Sequence, residues 1–219
     1  MRSALTDFYF NSGRLVPANV AWGAGMVGVL VVGLIWPLGA LLLSPLLAFP
    51  TAGIFRVAAR VVRDGADPAR RDLPAAFGAG ARPTLLLGLA SVAATIVLGS
   101  NLAIGLSGSE PMGWMIGTFA AWGLIVLWCG SIVAWPLIVD PLRAHRPVSE
   151  RLRLAGLLML AHPVRFGALG SLVAVIAVVS AILTVALLTI GLAFIALVAC
   201  RHVYPAADGL EAHLAGARP

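Results

Sequence analysis

Apolar residues run along this chain in three long zones that almost exclude charge. Residues 15–55 carry none, 83–139 carry only Glu110, and 166–200 carry none. A helix needs about twenty residues to cross about 30 Å of hydrocarbon. As single helices the first and third zones would run about 60 Å and about 50 Å, and the second longer still. Each zone therefore reads as two helices folded back on one another. Local chemistry places the turns. "WPLG" at 36–39 joins an aromatic anchor, a proline that cannot continue a helix, and a glycine. "SGSEPMG" at 107–113 is a polar loop, and Thr184, Thr189 and Gly191 mark the weakest turn, where one long tilted helix is the alternative.

The pattern predicts an all-α, polytopic transmembrane bundle in a single domain spanning residues 1–219. Its six spans lie at about 16–36, 38–58, 84–105, 114–137, 166–184 and 187–203. Loops 59–83 and 140–165 are amphipathic, and a short tail follows at 204–219. In the first loop a helix stops at Asp64-Gly65, and "PARRDLPAAFGAG" forms a short surface helix. In the second, Ser149 caps a helix bearing Glu150, Arg151 and Arg153, which lies on the inner leaflet.

Charge tests this layout. With six spans and both termini in the cytoplasm, all fifteen arginines fall on one side and only Glu110 on the other. That is the positive-inside pattern of a multi-pass membrane protein. Removing a turn from the first or the third zone spoils it. Trp22 and Trp135 then lie near the inner boundary and Trp36 and Trp114 near the outer one, while Trp122 and Trp128 pack between helices.

Composition agrees. The chain is 60% hydrophobic and 11% charged, where soluble domains carry roughly 25% charged residues. The mean hydropathy is +0.99. A net charge of +6 raises nucleic-acid binding, but the arginines sit in short blocks between apolar runs, so that class is set aside. Lysine is absent and Ala, Gly and Arg abound, as in a high-GC bacterium. Cys129 and Cys200 make no metal or redox spacing and read as small apolar side chains.

Candidate chemistry is sparse. "GAGMVG" has the letters of a dinucleotide loop, but no strand precedes it. Gly23, Gly25 and Gly28 instead allow close helix approach, as do Gly113 and Gly117. The four histidines have no ligand spacing, and no carboxylate pair is set for acid–base work. Asp140 ends the fourth span and pairs with Arg143. The expectation is no enzyme, no catalytic residue, no metal and no cofactor. Within the spans, Asn19 sits near the inner end of the first, one turn before Trp22, and reads as a hydrogen bond between helices. Pro45 and the Pro50-Thr51 pair interrupt the second span twice, which suits either a structural kink or a transport site. Arg56, Arg60 and Arg63 follow at i, i+4 and i+7 on one helix face. They are candidates for contact with anionic headgroups of the inner leaflet, or with an acidic partner.

Asn19 and Trp22, the proline-broken "SPLLAFPTAGIFRVAARVVRDG", then "RRDLPAAFGAGARPTLLLG", resemble the YesL-like family of small bacterial integral membrane proteins. "RHVYP" at 201–205 is similar to the family's close. The likeness is most specific over about residues 7–90, and Phe49 stands where the family pattern leads one to expect a glycine. That family has no established activity, and its members are often encoded beside carbohydrate-uptake transporters and glycan-degrading enzymes. The resemblance implies an accessory role in sugar uptake, with a sugar ABC transporter or another membrane protein as partner. A small permease or channel for a sugar or other small solute is the alternative, and a homo-oligomer is compatible with either.

Overall fold

The structure is a computed structural model that describes residues 4–64, 80–108 and 110–216. The segment "PARRDLPAAFGAG", expected as a surface helix, lies almost wholly outside them. The described residues are helical without strands. Helix α1 covers Ala4–Ile35. The second span is α2, Pro37–Leu43, a 3-10 turn at Ser44–Leu47, and α3, Ala48–Asp64. Helices α4, Ala81–Ser107, and α5, Pro111–Val139, form the next hairpin. After a 3-10 turn at Pro141–Arg143 come α6, Val148–Ala161, and α7, Pro163–Ile182. A single α-turn, Thr184–Ala186, and a π-helical turn, Leu187–Gly191, lead into α8, Leu192–Gly216. Six helical stretches are long and apolar enough to cross a membrane. The expected all-α bundle of a multi-pass membrane protein is therefore the observed one.

Prolines open three of these helices. Pro37, Pro111 and Pro163 each stand in the first turn, where a missing N–H costs nothing. At the first turn Trp36 leaves helical geometry, with φ −142° and ψ 87°. Its indole folds over Gly39, where a Cβ would lie 2.2 Å from the ring. In the third zone the break falls at Leu183, with φ −94° and ψ 72°. Ser180 and Gly191 then face each other across a hairpin, which excludes one long helix.

Several boundaries differ from expectation. Helix α1 begins at Ala4, because Phe8 and Asp7 have partners on α8: the Phe8 and Phe194 rings meet edge to face at 6.1 Å. The tail is no loose end, since α8 runs on unbroken to Gly216. Pro147, not Ser149, occupies the N-cap of α6, and Ser149 lies inside the helix. The second span is interrupted once, not twice. Pro50 falls in the first turn of α3, so the 3-10 turn at Ser44–Leu47 absorbs the irregularity.

Buried residues gather in the arginine-rich half. They come from 15–18 of α1, 52–61 of α3, 132–139 of α5, 154–158 of α6, 166–173 of α7 and 193–207 of α8. Helix α8 is the most enclosed span and α4 the least. Toward the other end, Leu34, Ile35, Leu38, Trp114, Phe119 and Ile182 are all exposed. Trp122 belongs with them. At 61% exposure it faces outward rather than between helices. Trp128 does bridge helices, donating Nε1–H to the Gly170 carbonyl at 3.1 Å.

Close helix approach is concentrated at a few glycines. A Cβ on Gly105 would lie 2.5 Å from the Gly113 carbonyl oxygen and 2.6 Å from the Gly117 Cα. Gly23 stands against the Leu188 backbone, where a Cβ would meet the carbonyl oxygen at 2.7 Å, and Gly25 against Leu47 at 3.2 Å. Gly28 does not join this packing, because a Cβ there would meet nothing within 4 Å. Because the obstacles around Gly105 are backbone atoms, Gly105→Val is expected to cost about 1–3 kcal/mol. Gly28→Val is expected to be near neutral. Thermal unfolding of the two variants in detergent, compared with the parent protein, checks the contrast.

Candidate functional site

The arginine ladder of α3 is amphipathic at its end: Ala52, Ile54, Phe55, Ala58 and Ala59 are buried while the arginines lie at the edge of the core. The structure divides the ladder. Arg63 turns inward to Asp140, at 2.8 Å, and to Asp208 on α8, with contacts of 2.5 and 3.1 Å. Its guanidinium carbon also lies 4.3 Å from the centre of the Tyr204 ring, a cation–π contact. The acidic face foreseen for the ladder is thus supplied to Arg63 by the chain itself.

Asp140 is the centre of this arrangement. It is 0% exposed and pairs with both Arg63 and Arg143. Its second oxygen accepts from the Leu142 N–H at 3.1 Å, capping the 3-10 turn. The pairing of Asp140 with Arg143 is as the sequence suggests, but the carboxylate serves two arginines instead of one. Arg143 then reaches Asp208 at 2.7 Å and Glu211 at 2.9 Å, and Arg146 reaches Glu211 at 2.7 Å. Three arginines and three carboxylates tie the ends of α3, α5 and α8 together. Nearby, the Tyr204 hydroxyl donates to the Pro136 carbonyl at 3.2 Å. Across the same end, Arg201 Nε donates to Asp7 at 2.7 Å and fastens α1 to α8.

Asp208 and Glu211 lie beyond the apolar part of α8. Hydrogen bonds from Arg63, and then from Arg143, hold Asp208 below its ordinary value of 3.8. Burial alone would raise Glu211, but Arg143 and Arg146 outweigh it and hold the group below 4.5. A carboxylate whose folded pKa is depressed stabilises the fold above its unfolded pKa, and the contribution disappears as pH falls through the folded value. The bundle is therefore expected to keep its stability down to about pH 4.5 and to lose it progressively below. An acid titration of the unfolding midpoint checks this, and Glu211→Gln should flatten the acid limb.

Arg56 and Arg60 border a different feature. Together with Gly80, Pro83, Ile138, Asp140 and Arg151 they line a cavity of about 390 Å³. Arg56 Nη2 donates to Thr84 Oγ1 at 3.3 Å. Arg151, expected on the surface of an amphipathic helix, is instead 8% exposed, and one of its Nη groups donates to the Ile138 carbonyl. Its Nε is buried without a partner. Burial lowers the Arg151 pKa against the opposing pull of Asp140.

The polar positions of the spans are structural in their contacts. Asn19 is 0% exposed, donates to the Leu187 carbonyl at 2.9 Å and accepts from the Ala193 N–H at 2.8 Å. It lies twelve residues along α1 from Asp7, about 18 Å at a helical rise. Trp22 is half-buried against the core. Pro45 packs on α4, where a Gly88 Cβ would meet its carbonyl oxygen at 3.0 Å, and Thr51 Oγ1 returns to the Leu47 carbonyl at 2.7 Å. Among the described residues no group of three His, Cys, Asp or Glu side chains could hold a metal ion.

Sequence reasoning missed Asp7, Arg151, Asp208, Glu211 and Gly105. One signal was available: Asp208 and Glu211, three apart, continue the last span opposite an arginine ladder of matching charge. Comparison with family models, curated proteins and solved structures gives no match for this chain.

Proposed function

We propose that this multi-pass membrane protein is an accessory component that docks on a larger membrane protein of the bacterial inner membrane. Its charged end faces the cytoplasm, as positive charge requires. The observation that carries this reading is the division of the molecule. Its arginine-rich half is a closed core locked by ion pairs. Its other half presents wide apolar surface, with Phe119 and Trp122 exposed. A carbohydrate-uptake transporter is the partner class, on the strength of the resemblance to the YesL-like family.

A permease of its own is the weaker reading. Carriers place polar or ionisable groups at mid-membrane and leave them available. Here Asn19 is spent on the backbone of α8 and its approach. The groove beside the 3-10 turn is lined by Gly25, Gly28, Val32, Leu43, Leu47 and Pro50, none of which offers a side-chain hydrogen bond to a sugar. Affinity purification in mild detergent is expected to recover an uptake permease in fixed proportion. Recovery of lipid and detergent alone would sink the docking reading. Sugar flux into reconstituted vesicles above that of empty ones would favour the permease.

A further inference from the structure

The amphipathic pattern of α6 places it on the inner leaflet, but its neighbours give it another course. Near its start Arg151 donates to the Ile138 carbonyl of α5. Eight residues on, Met159 stands beside Gly130, where a Cβ would lie 3.6 Å from its Sδ. Ile138 and Gly130 are also eight residues apart, so α6 runs back antiparallel along α5 rather than across its end. Gly130 lies nine residues before Val139, about 14 Å along the helix. Next to it, Trp128 and Cys129 meet Gly170, already seven residues into α7. The tip of α6 thus overlaps two spans instead of capping them.

Composition changes along this course. The start of α6 carries Glu150, Arg151 and Arg153. From there to Arg165 the sequence has no formal charge, and His162 is the single polar side chain. One face of the helix, with Leu154, Ala155 and Leu158, is buried in the core. The other exposes Leu157 and Leu160, the latter at 79%, and Val164 follows just past the turn at 84%. A helix in water would put polar residues there. The turn into α7 is a single residue, His162. Its N–H donates to the Leu158 carbonyl at 3.0 Å, and its carbonyl accepts from the Phe166 N–H at 3.1 Å. Pro163, in the first turn of α7, has no N–H to satisfy. Backbone bonding of this kind is what a turn within hydrocarbon demands.

We propose that α6 is a re-entrant helix: its C-terminal half, residues 154–161, enters the lipid leaflet on the arginine-rich side and returns, with Leu157, Leu160 and Val164 against acyl chains. An apolar run of this length is too short to cross, but it can enter and turn back. Lipid, not protein, covers the face because the face is continuous with the outward surface of a span. Val164, Val175, Val179 and Ile182 are all exposed along α7 at helical spacing. The inference rests on the multi-pass architecture alone and is independent of any docking partner.

The test uses Ser149→Cys, Leu160→Cys and Val175→Cys, each in a Cys129→Ala background that keeps the buried Cys200. Each full-length variant is spin-labelled and reconstituted in vesicles of phosphatidylglycerol and phosphatidylcholine. Power saturation then compares collisions with oxygen, which concentrates in hydrocarbon, and with a water-soluble nickel chelate. The label at Leu160 is expected to match the one at Val175, in the middle of α7, with high oxygen and low nickel accessibility. The label at Ser149, exposed at the start of α6, should show the reverse. Equal nickel accessibility at Leu160 and Ser149 overturns the proposal. So does a Leu160 label shielded from both reagents, since protein rather than lipid would then cover the face. Should Leu160→Cys fail to fold, Val164→Cys decides by the same criterion.

Discussion

Asp140→Asn is expected to lower the unfolding free energy by about 3–5 kcal/mol, the usual cost of removing one partner from a buried ion pair. The carboxylate is fully enclosed and faces Arg63 and Arg143, the second of which is itself buried. Asparagine keeps the shape and the acceptor for the Leu142 N–H, so the loss reports charge rather than volume. The two guanidinium groups would stay near Asp208 and Glu211, but those carboxylates are more exposed and less able to compensate. Asp208→Asn is the comparison. At 45% exposure it sits in better-screened surroundings, and about 1 kcal/mol or less is expected. Denaturant-driven unfolding in detergent micelles measures both. Equal losses for the two variants would mean that burial of Asp140 does not set the strength of the network. A double-mutant cycle of Asp140→Asn with Arg143→Met should be strongly non-additive, since the two groups are in direct contact within one buried network.

The number and order of the spans were legible because the bilayer leaves so few options. Every backbone group must be bonded internally, so apolar length converts directly into helices, and arginine placement selects the even count. The turns were legible where proline and an interfacial aromatic coincide, as at Trp36-Pro37. What escaped was the pairing of charges across the arginine-rich end. Asp208 and Glu211 lie in a stretch that reads as a polar tail. Only packing α8 beside α3 and α5 brings them to Arg63 and Arg143, about 65 to 145 residues away in sequence. Arg151 was misplaced for a related reason. An arginine on an amphipathic segment is normally solvated, and its burial depends on how α6 lies against the end of α5. Pattern also overstated glycine: Gly28 shares the spacing of Gly23 and Gly25 but faces open space, whereas Gly105, in no motif, has the tightest set of backbone neighbours.

Asn19→Leu is expected to be the second most damaging single change, at about 2–4 kcal/mol. The α7–α8 hairpin re-enters helix through a π turn at Leu187–Gly191, whose geometry displaces backbone groups from their ordinary α-helical partners. Asn19 takes up two of them, the Leu187 carbonyl and the Ala193 N–H, and Gly23 lets the α1 backbone lie against Leu188 so that the amide can reach. Leucine would leave both groups unsatisfied where no water competes, which is why the loss should exceed the ~0.6 kcal/mol typical of a side-chain hydrogen bond within a membrane. Asn19→Asp separates hydrogen bonding from size. A neutral carboxyl can donate to Leu187 and accept from Ala193, whereas a carboxylate cannot donate and is penalised by burial. Relative to the parent, the variant should be closest in stability at low pH, where the carboxyl is neutral, and lose ground at higher pH as it ionises. Unfolding midpoints taken across the pH range in detergent give the answer. A parallel pH dependence for parent and variant would show that the amide does not bridge the π turn, and that Gly23 alone sets how closely α1 approaches it.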